Sequence, residues 1–155
     1  MSDNLIGRKY EIVEVLGRGG MGTVYAGKHV RTGRRVAIKL MHDGGTLEAD
    51  HPDLLRFEQE ARIAGSLESP HIAQIIDIDR DPETDAPFLV MELLKGEDLQ
   101  TLLDRVGPLP VEVALCIVMQ ACLGLEAAHV AGVVHRDIKP SNLFLARREL
   151  SLIHI

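Results

Sequence analysis

Over the first ninety residues, apolar and polar positions alternate in short runs, and after that the spacing becomes helical. Tyr10 to Leu16 is a short β-rich run. A glycine cluster follows from Gly17 to Gly22, and Thr23-Val24-Tyr25-Ala26-Gly27 resumes as strand. Arg31-Thr32-Gly33-Arg34 has turn composition and Arg35 to Leu40 is a third strand, so this part predicts an antiparallel meander. Asp43-Gly44-Gly45 breaks the chain. From Pro52 the pattern is helical, with Phe57, Ala61 and Ala64 on one face, until Gly65-Ser66 and Ser69-Pro70 end it. Ile72 to Ile78 and Phe88 to Glu92 predict two further strands around the polar turn Asp81 to Pro87, which completes a lobe of five strands and one helix.

After Lys95-Gly96 the pattern is helical. Glu97 to Val106 is amphipathic, with Leu99, Leu102 and Leu103 apolar, and Gly107-Pro108 closes it. Val111 to Val130 is apolar on nearly every face and is expected to be the buried spine of a second, helical lobe. The predicted organisation is an N-terminal extension (1–9), a first lobe (10–92), a hinge (93–96), a partial second lobe (97–149) and a tail (150–155).

Composition adds little that is unusual. The 155 residues are 46% hydrophobic and 26% charged with a net charge of −6, a soluble globular balance that argues against a nucleic-acid surface. The longest uncharged stretch, Val113 to Leu125, falls short of the roughly 20 residues a membrane helix needs, and no secretory signal is visible at the N-terminus. A cytoplasmic location is expected. Cys116 and Cys122 are six apart on one helix, too badly placed for a disulfide or a metal site, and are expected to be packing residues.

Three segments carry chemistry. Gly17, Gly19 and Gly22 form a GxGxxG spacing, but Thr23-Val24-Tyr25 would start a helix poorly, so the glycines must join two antiparallel strands. Such a hairpin can lie over phosphates, its backbone N–H groups unobstructed by Cβ atoms; a ligand-free glycine hairpin is the plain alternative. Val36-Ala37-Ile38-Lys39 ends an apolar strand in a lysine, which by itself could simply be exposed. Glu60 lies beside the inward stripe of Phe57 and Ala64, where a carboxylate needs a cationic partner, and Lys39 is the candidate unless Glu60 stays solvated at the fringe. The third segment is His135-Arg136-Asp137-Ile138-Lys139-Pro140-Ser141-Asn142. Its aspartate can take a hydroxyl proton, its lysine can neutralise a transferring phosphoryl group, and its asparagine can ligate Mg²⁺.

In this order the three segments resemble the Hanks-type, eukaryotic-like protein kinases, a family whose motif roles are well described. The resemblance runs from Tyr10 to about Leu145 and implies a two-lobed α+β fold. It implies ATP as cofactor, with Leu16, Gly17, Arg18, Gly19, Gly20, Met21, Gly22, Thr23 and Val24 as the phosphate-covering loop. Lys39 would hold the α- and β-phosphates and Glu60 would position it. Asp137 would be the catalytic base, Lys139 the partner of the γ-phosphate, and Asn142 a Mg²⁺ ligand. Val24 and Ala37 would roof the adenine, Phe144 would lie beneath it, Met91 would be the gatekeeper, and the backbone of Glu92 and Leu94 would bind adenine.

Lys139-Pro140 is similar to the serine/threonine branch, and Gly19-Gly20-Met21-Gly22 with Val90-Met91-Glu92 resembles bacterial members. The implied reaction is transfer of the γ-phosphoryl of ATP to serine or threonine hydroxyls of protein substrates. Self-association of kinase domains is a further partner the resemblance allows, and a nucleotide-binding pseudokinase or scaffold is the alternative. No aspartate follows Asn142, so the family's second Mg²⁺ ligand is missing, and these residues by themselves are expected to be inactive. Leu150-Ser151-Leu152-Ile153-His154-Ile155 does not read as the strand leading to that ligand. It matches one reading frame of a transposon mosaic end used in sequencing libraries, and the tail is expected to be non-native, with a natural truncation or an ordinary apolar strand as the alternative. His129 is expected to be a packed or capping residue and not a ligand.

Overall fold

The computed structural model describes residues 5–19, 22–41, 61, 64–147 and, as backbone, 152–154. The chain divides into two compact units, one comprising Met1–Gly65 with Ile75–Leu93, the other Ser66–Gln74 with Leu94–Ile155.

The first unit is built on a six-stranded antiparallel sheet. Its strands are β1 (Leu5–Ile6), β2 (Tyr10–Gly19), β3 (Gly22–His29), β4 (Arg35–Met41), β5 (Ile75–Arg80) and β6 (Pro87–Glu92), in the order β1-β2-β3-β4-β6-β5. The meander of β2, β3 and β4 is as the alternation predicts. The sixth strand corrects the expected five, because Leu5–Ile6 pairs with Tyr10 and Glu11 where only an extension was expected. β2 also runs on to Gly19, since the glycines keep pairing with β3 up to Gly19↔Gly22. Of the helix expected from Pro52, Ala61, Ala64 and Gly65 are helical, and the rest lies outside the described residues.

The core of this unit joins Ile6, Tyr10, Val36, Ile38, Phe88 and Val90, with Phe88, Ile38 and Val90 fully buried. Fully burying such a side chain contributes roughly 1.5–3 kcal/mol. Gly7, at φ +58, admits the Phe88 ring so closely that a Cβ would meet its edge at 2.5 Å.

The second unit holds β7 (Gly96–Asp98), α1 (Leu99–Val106), α2 (Val111–Val130), a 3-10 turn at Pro140–Asn142, β8 (Phe144–Ala146) and β9 (Leu152–His154). The predicted helix start at Glu97 moves to Leu99 because Gly96–Asp98 pairs with β8 as a strand, while the Asp98 carboxylate accepts from Thr101 N–H at 2.9 Å as N-cap. Gly107 caps the other end, its N–H donating to Leu103 O. β9 pairs antiparallel with β8, so the backbone of the tail does adopt the strand its sequence was not expected to form.

α2 keeps its predicted limits, but only Ile117, Ala121, Gly124 and Ala128 are buried, one narrow stripe. Leu115, Met119 and Leu123 on other faces are more than half or about half exposed, at 57%, 65% and 50%, so within the residues present the helix is covered along one stripe. Cys116 and Cys122 lie off the stripe and are exposed free thiols. His129 is also exposed, in the last turn, where its carbonyl accepts from Gly132 N–H. Among the described residues α2 is the one helix long and apolar enough to cross a membrane by length and composition, longer than its uncharged stretch suggested; it carries Glu112 and Glu126.

Candidate active site

In the first unit the strand register places four of the expected groups on three adjacent strands. Val24 in β3 is the direct partner of Lys39 in β4, and Ala37 is the partner of Met91 in β6. Thr23 and Ala37 are buried, Val24, Lys39, Met91 and Glu92 half-buried, and Leu16, Gly17, Arg18 and Gly19 exposed. An exposed glycine strand on a buried base is the arrangement a phosphate-covering hairpin needs. Gly22 is dictated by packing: a Cβ there would collide with the Leu40 carbonyl oxygen of the paired strand. Gly20, Met21 and Glu60 lie outside the described residues.

In the second unit Asp137, Lys139 and Asn142 converge. Lys139 Nζ lies 2.8 Å from Asp137 Oδ2. Asn142 Nδ2 donates to the same oxygen at 3.0 Å and to the Asp137 carbonyl at 2.8 Å. The hydrogen bond from Lys139, helped by that from Asn142 and by the nearby Lys139 charge, holds the Asp137 carboxyl below its usual range against the opposing desolvation. The carboxylate is exposed and ionised at neutral pH.

Local backbone explains why these residues meet. Arg136 is left-handed at φ 62, a costly conformation for a side chain larger than glycine's. His135 Nδ1 accepts the Asp137 N–H at 3.3 Å, spanning that bend. Pro140 starts the 3-10 turn, in which Asn142 N–H donates to Lys139 O at 2.9 Å. The next residue, Leu143, is buried with Leu99, Ile117 and Ala121, and its carbonyl accepts from Leu99 N–H at 2.8 Å. The functional loop thus hangs from a core residue at one end.

Phe144, half-buried, opens β8 and pairs with Asp98; Leu94 is half-buried and belongs to no element. Two contributors had no role in the sequence reading: His135 and Leu143. The i, i+2 spacing of His135 to Asp137 was the available signal for the first, and the apolar residue between Asn142 and Phe144 for the second.

Among the described residues no cluster of three or more His, Cys, Asp or Glu side chains could hold a metal. Asn142 fits one ligand position. Its amide nitrogen is turned to Asp137, which leaves the oxygen, the kind of donor a hard cation takes.

Residues 10–154 match the protein kinase domain family. The serine/threonine-protein kinase Pkn1 of Myxococcus xanthus is 41% identical over 150 residues, spanning 94% of this chain and 21% of that protein. The serine/threonine-protein kinase PknH of Mycobacterium tuberculosis (strain H37Rv) is 41% identical over 147 residues, 93% of this chain and 22% of its own. The crystal structure of the Mycobacterium tuberculosis PknI kinase domain superposes with a TM-score of 0.79 at 29% identity, over 99% of this chain and 61% of that one. The chain therefore spans about a fifth of the length of these two curated relatives.

Proposed function

Since this chain belongs to the protein kinase domain family, we propose that its protein transfers the γ-phosphoryl group of ATP to serine and threonine hydroxyls of protein substrates. The observation that carries the reading is the convergence of Lys139 and Asn142 on one oxygen of Asp137. Within phosphoryl transfer the lysine, the amide and the carboxylate each have work.

Asp137, ionised at neutral pH, accepts the hydrogen bond of the incoming hydroxyl and orients its lone pair at the γ-phosphorus. As the new O–P bond forms and the bond to ADP breaks, the hydroxyl proton passes to Asp137 Oδ. A carboxylate of lowered pKa is a weak base, so its main contribution is orientation, with the proton leaving late. Lys139, paired with Asp137 in the absence of nucleotide, turns its ammonium to the γ-phosphoryl oxygens and lowers the cost of their charge. In the first unit the Gly17–Gly22 hairpin covers the phosphates with backbone N–H groups, and Lys39 holds the α- and β-phosphates, with Glu60 as its positioning partner.

In the first unit Val24, Ala37, Met91 and the Glu92 backbone are the groups assigned to adenine; in the second, Phe144 and the Leu94 backbone carry the same assignment from the family resemblance. Magnesium, when bound, neutralises phosphate charge; Asn142 Oδ1 is the oxygen this chain would offer it. A site in the cytoplasm, where ATP is available, suits the reaction.

The test is to incubate the intact protein with ATP labelled in the γ-phosphoryl and peptides presenting serine, threonine or tyrosine. Label on serine and threonine peptides is expected. Label confined to tyrosine, or nucleotide binding without transfer, contradicts the proposal and favours a binding module.

A further inference from the structure

The end of the β3–β4 hairpin carries a concentration of positive charge that the proposed catalysis does not use. From Gly19 to Ile38 the sequence holds Lys28, Arg31, Arg34 and Arg35 and no Asp or Glu, in a chain of net charge −6. Lys28, Arg31, Arg34 and Arg35 are all exposed. Arg8, also exposed, lies alongside, because Val30 N–H donates to the carbonyl of the next residue, Lys9, at 2.9 Å.

Among the described residues no ion pair joins Lys28, Arg31, Arg34 or Arg35 to a carboxylate. Lys28 faces Arg35 directly across the β3–β4 ladder, a like-charge pair that is unfavourable on its own. The carboxylate in register with this group is Glu11, opposite Lys28 on β2. Lys9 is already engaged by Asp79 at 2.8 Å and Asp77 at 3.4 Å.

The backbone that presents the array is preformed. His29 N–H donates to Arg34 O at 2.9 Å, Gly33 N–H donates to His29 O at 2.8 Å, and the N–H groups of Arg31 and Thr32 both donate to His29 Nδ1 at 3.2 Å. At the same end Val30 is 47% exposed.

We propose that this hairpin end docks the protein onto an anionic lipid surface, its arginine and lysine heads on headgroup phosphates and carboxylates and Val30 at the headgroup boundary. A flat surface suits it better than an acidic peptide. β3 and β4 are both interior strands, paired on either side, so they offer no free edge for strand addition. A hairpin end with clustered exposed cations and an exposed apolar residue, Val30, matches a charged membrane interface.

The test is co-sedimentation of the intact protein with vesicles of phosphatidylcholine alone and of phosphatidylcholine with roughly a third phosphatidylserine, the composition that gives a negative surface potential. Binding to the anionic vesicles, weakening as salt is raised, is expected. Arg31→Glu with Arg34→Glu should lower the partition constant by at least about 25-fold, since each basic residue near such a surface accounts for roughly a fivefold effect. Thermal midpoint is measured alongside. If the reversal lowers it, the neutral pair Arg31→Gln with Arg34→Gln replaces it, with roughly fivefold expected per site. Unchanged partitioning of a folded variant overturns the proposal. So does absence of vesicle binding by the parent protein, or preference for a soluble polyglutamate peptide over vesicles at equal ionic strength.

Discussion

The hydroxyl of Tyr10 donates to Asp77 Oδ2 at 2.9 Å, joining β2 to β5, strands that lie toward opposite edges of the same sheet. Two further links run parallel to it: Gly7 N–H to Asp81 Oδ2 at 2.9 Å and Lys9 Nζ to Asp79 Oδ2 at 2.8 Å. A sheet tied across in this way is curled, and the ring of Tyr10 sits edge-on to both Phe88 and His29 inside the curl. Burial, then the bond to Asp77, pushes the Tyr10 phenol up to about 12, so it stays a donor throughout the working pH range.

Tyr10→Phe keeps the ring and removes the donor. It should cost about 1 kcal/mol of stability, a hydrogen bond's typical net contribution, read as a lower denaturant midpoint with unchanged slope in the intact protein. A neutral result would mean that the tie across the sheet carries no net energy.

Asp81 gives a pH-dependent counterpart. Burial pushes its carboxyl up, but the N–H groups of Gly7, Thr84 and Glu83 and the Thr84 hydroxyl outweigh it, and the group ends below its ordinary value. A folded-state value lower than the unfolded one stabilises above the unfolded pKa near 3.9 and is lost as pH falls through the folded one. Asp81→Asn, whose amide would turn a donor toward a donor, should cost roughly 1–3 kcal/mol at pH 7. The gap between variant and parent should narrow below about pH 4, as denaturant melts across pH would show.

Leu143→Ala tests whether the loop depends on its core anchor. The cavity should cost about 2–5 kcal/mol, and the turnover measured on the folded fraction should fall as Asn142 and Asp137 lose their placement. Leu143→Met, which conserves volume, should restore most of both.

Lys39→Met removes a cation from the phosphates and should lower kcat/KM for ATP on the order of 10²-fold, with thermal midpoint in the absence of nucleotide little changed. Unaltered kinetics would leave Lys39 as an ordinary strand-end lysine.

Much of this was legible in sequence, for reasons that differ by element. α2 is bounded by Pro110 at its start and Gly132 past its end, and such punctuation is local, so its limits could be read directly. The Asp137 loop was legible because its chemistry lies within six residues. What could not be read depends on pairing partners and not on a segment's own composition. Leu5–Ile6 is a strand because Tyr10 and Glu11 pair with it, and Gly96–Asp98 is a strand because Phe144–Ala146 does. Composition alone marks Cys116 and Cys122 as apolar, whereas their exposure follows from which stripe of α2 packs against Leu99 and Leu143.

The most direct measurement is the rate of γ-phosphoryl transfer from ATP to a serine or threonine peptide by the intact protein and by its Asp137→Asn variant, with folding checked in both. Asparagine keeps the shape of the side chain but cannot take the proton or orient the hydroxyl through a charged oxygen. A loss on the order of 10²–10⁴-fold is expected, with nucleotide binding retained. A folded Asp137→Asn protein that transfers phosphate within twofold of the parent rate would contradict the account.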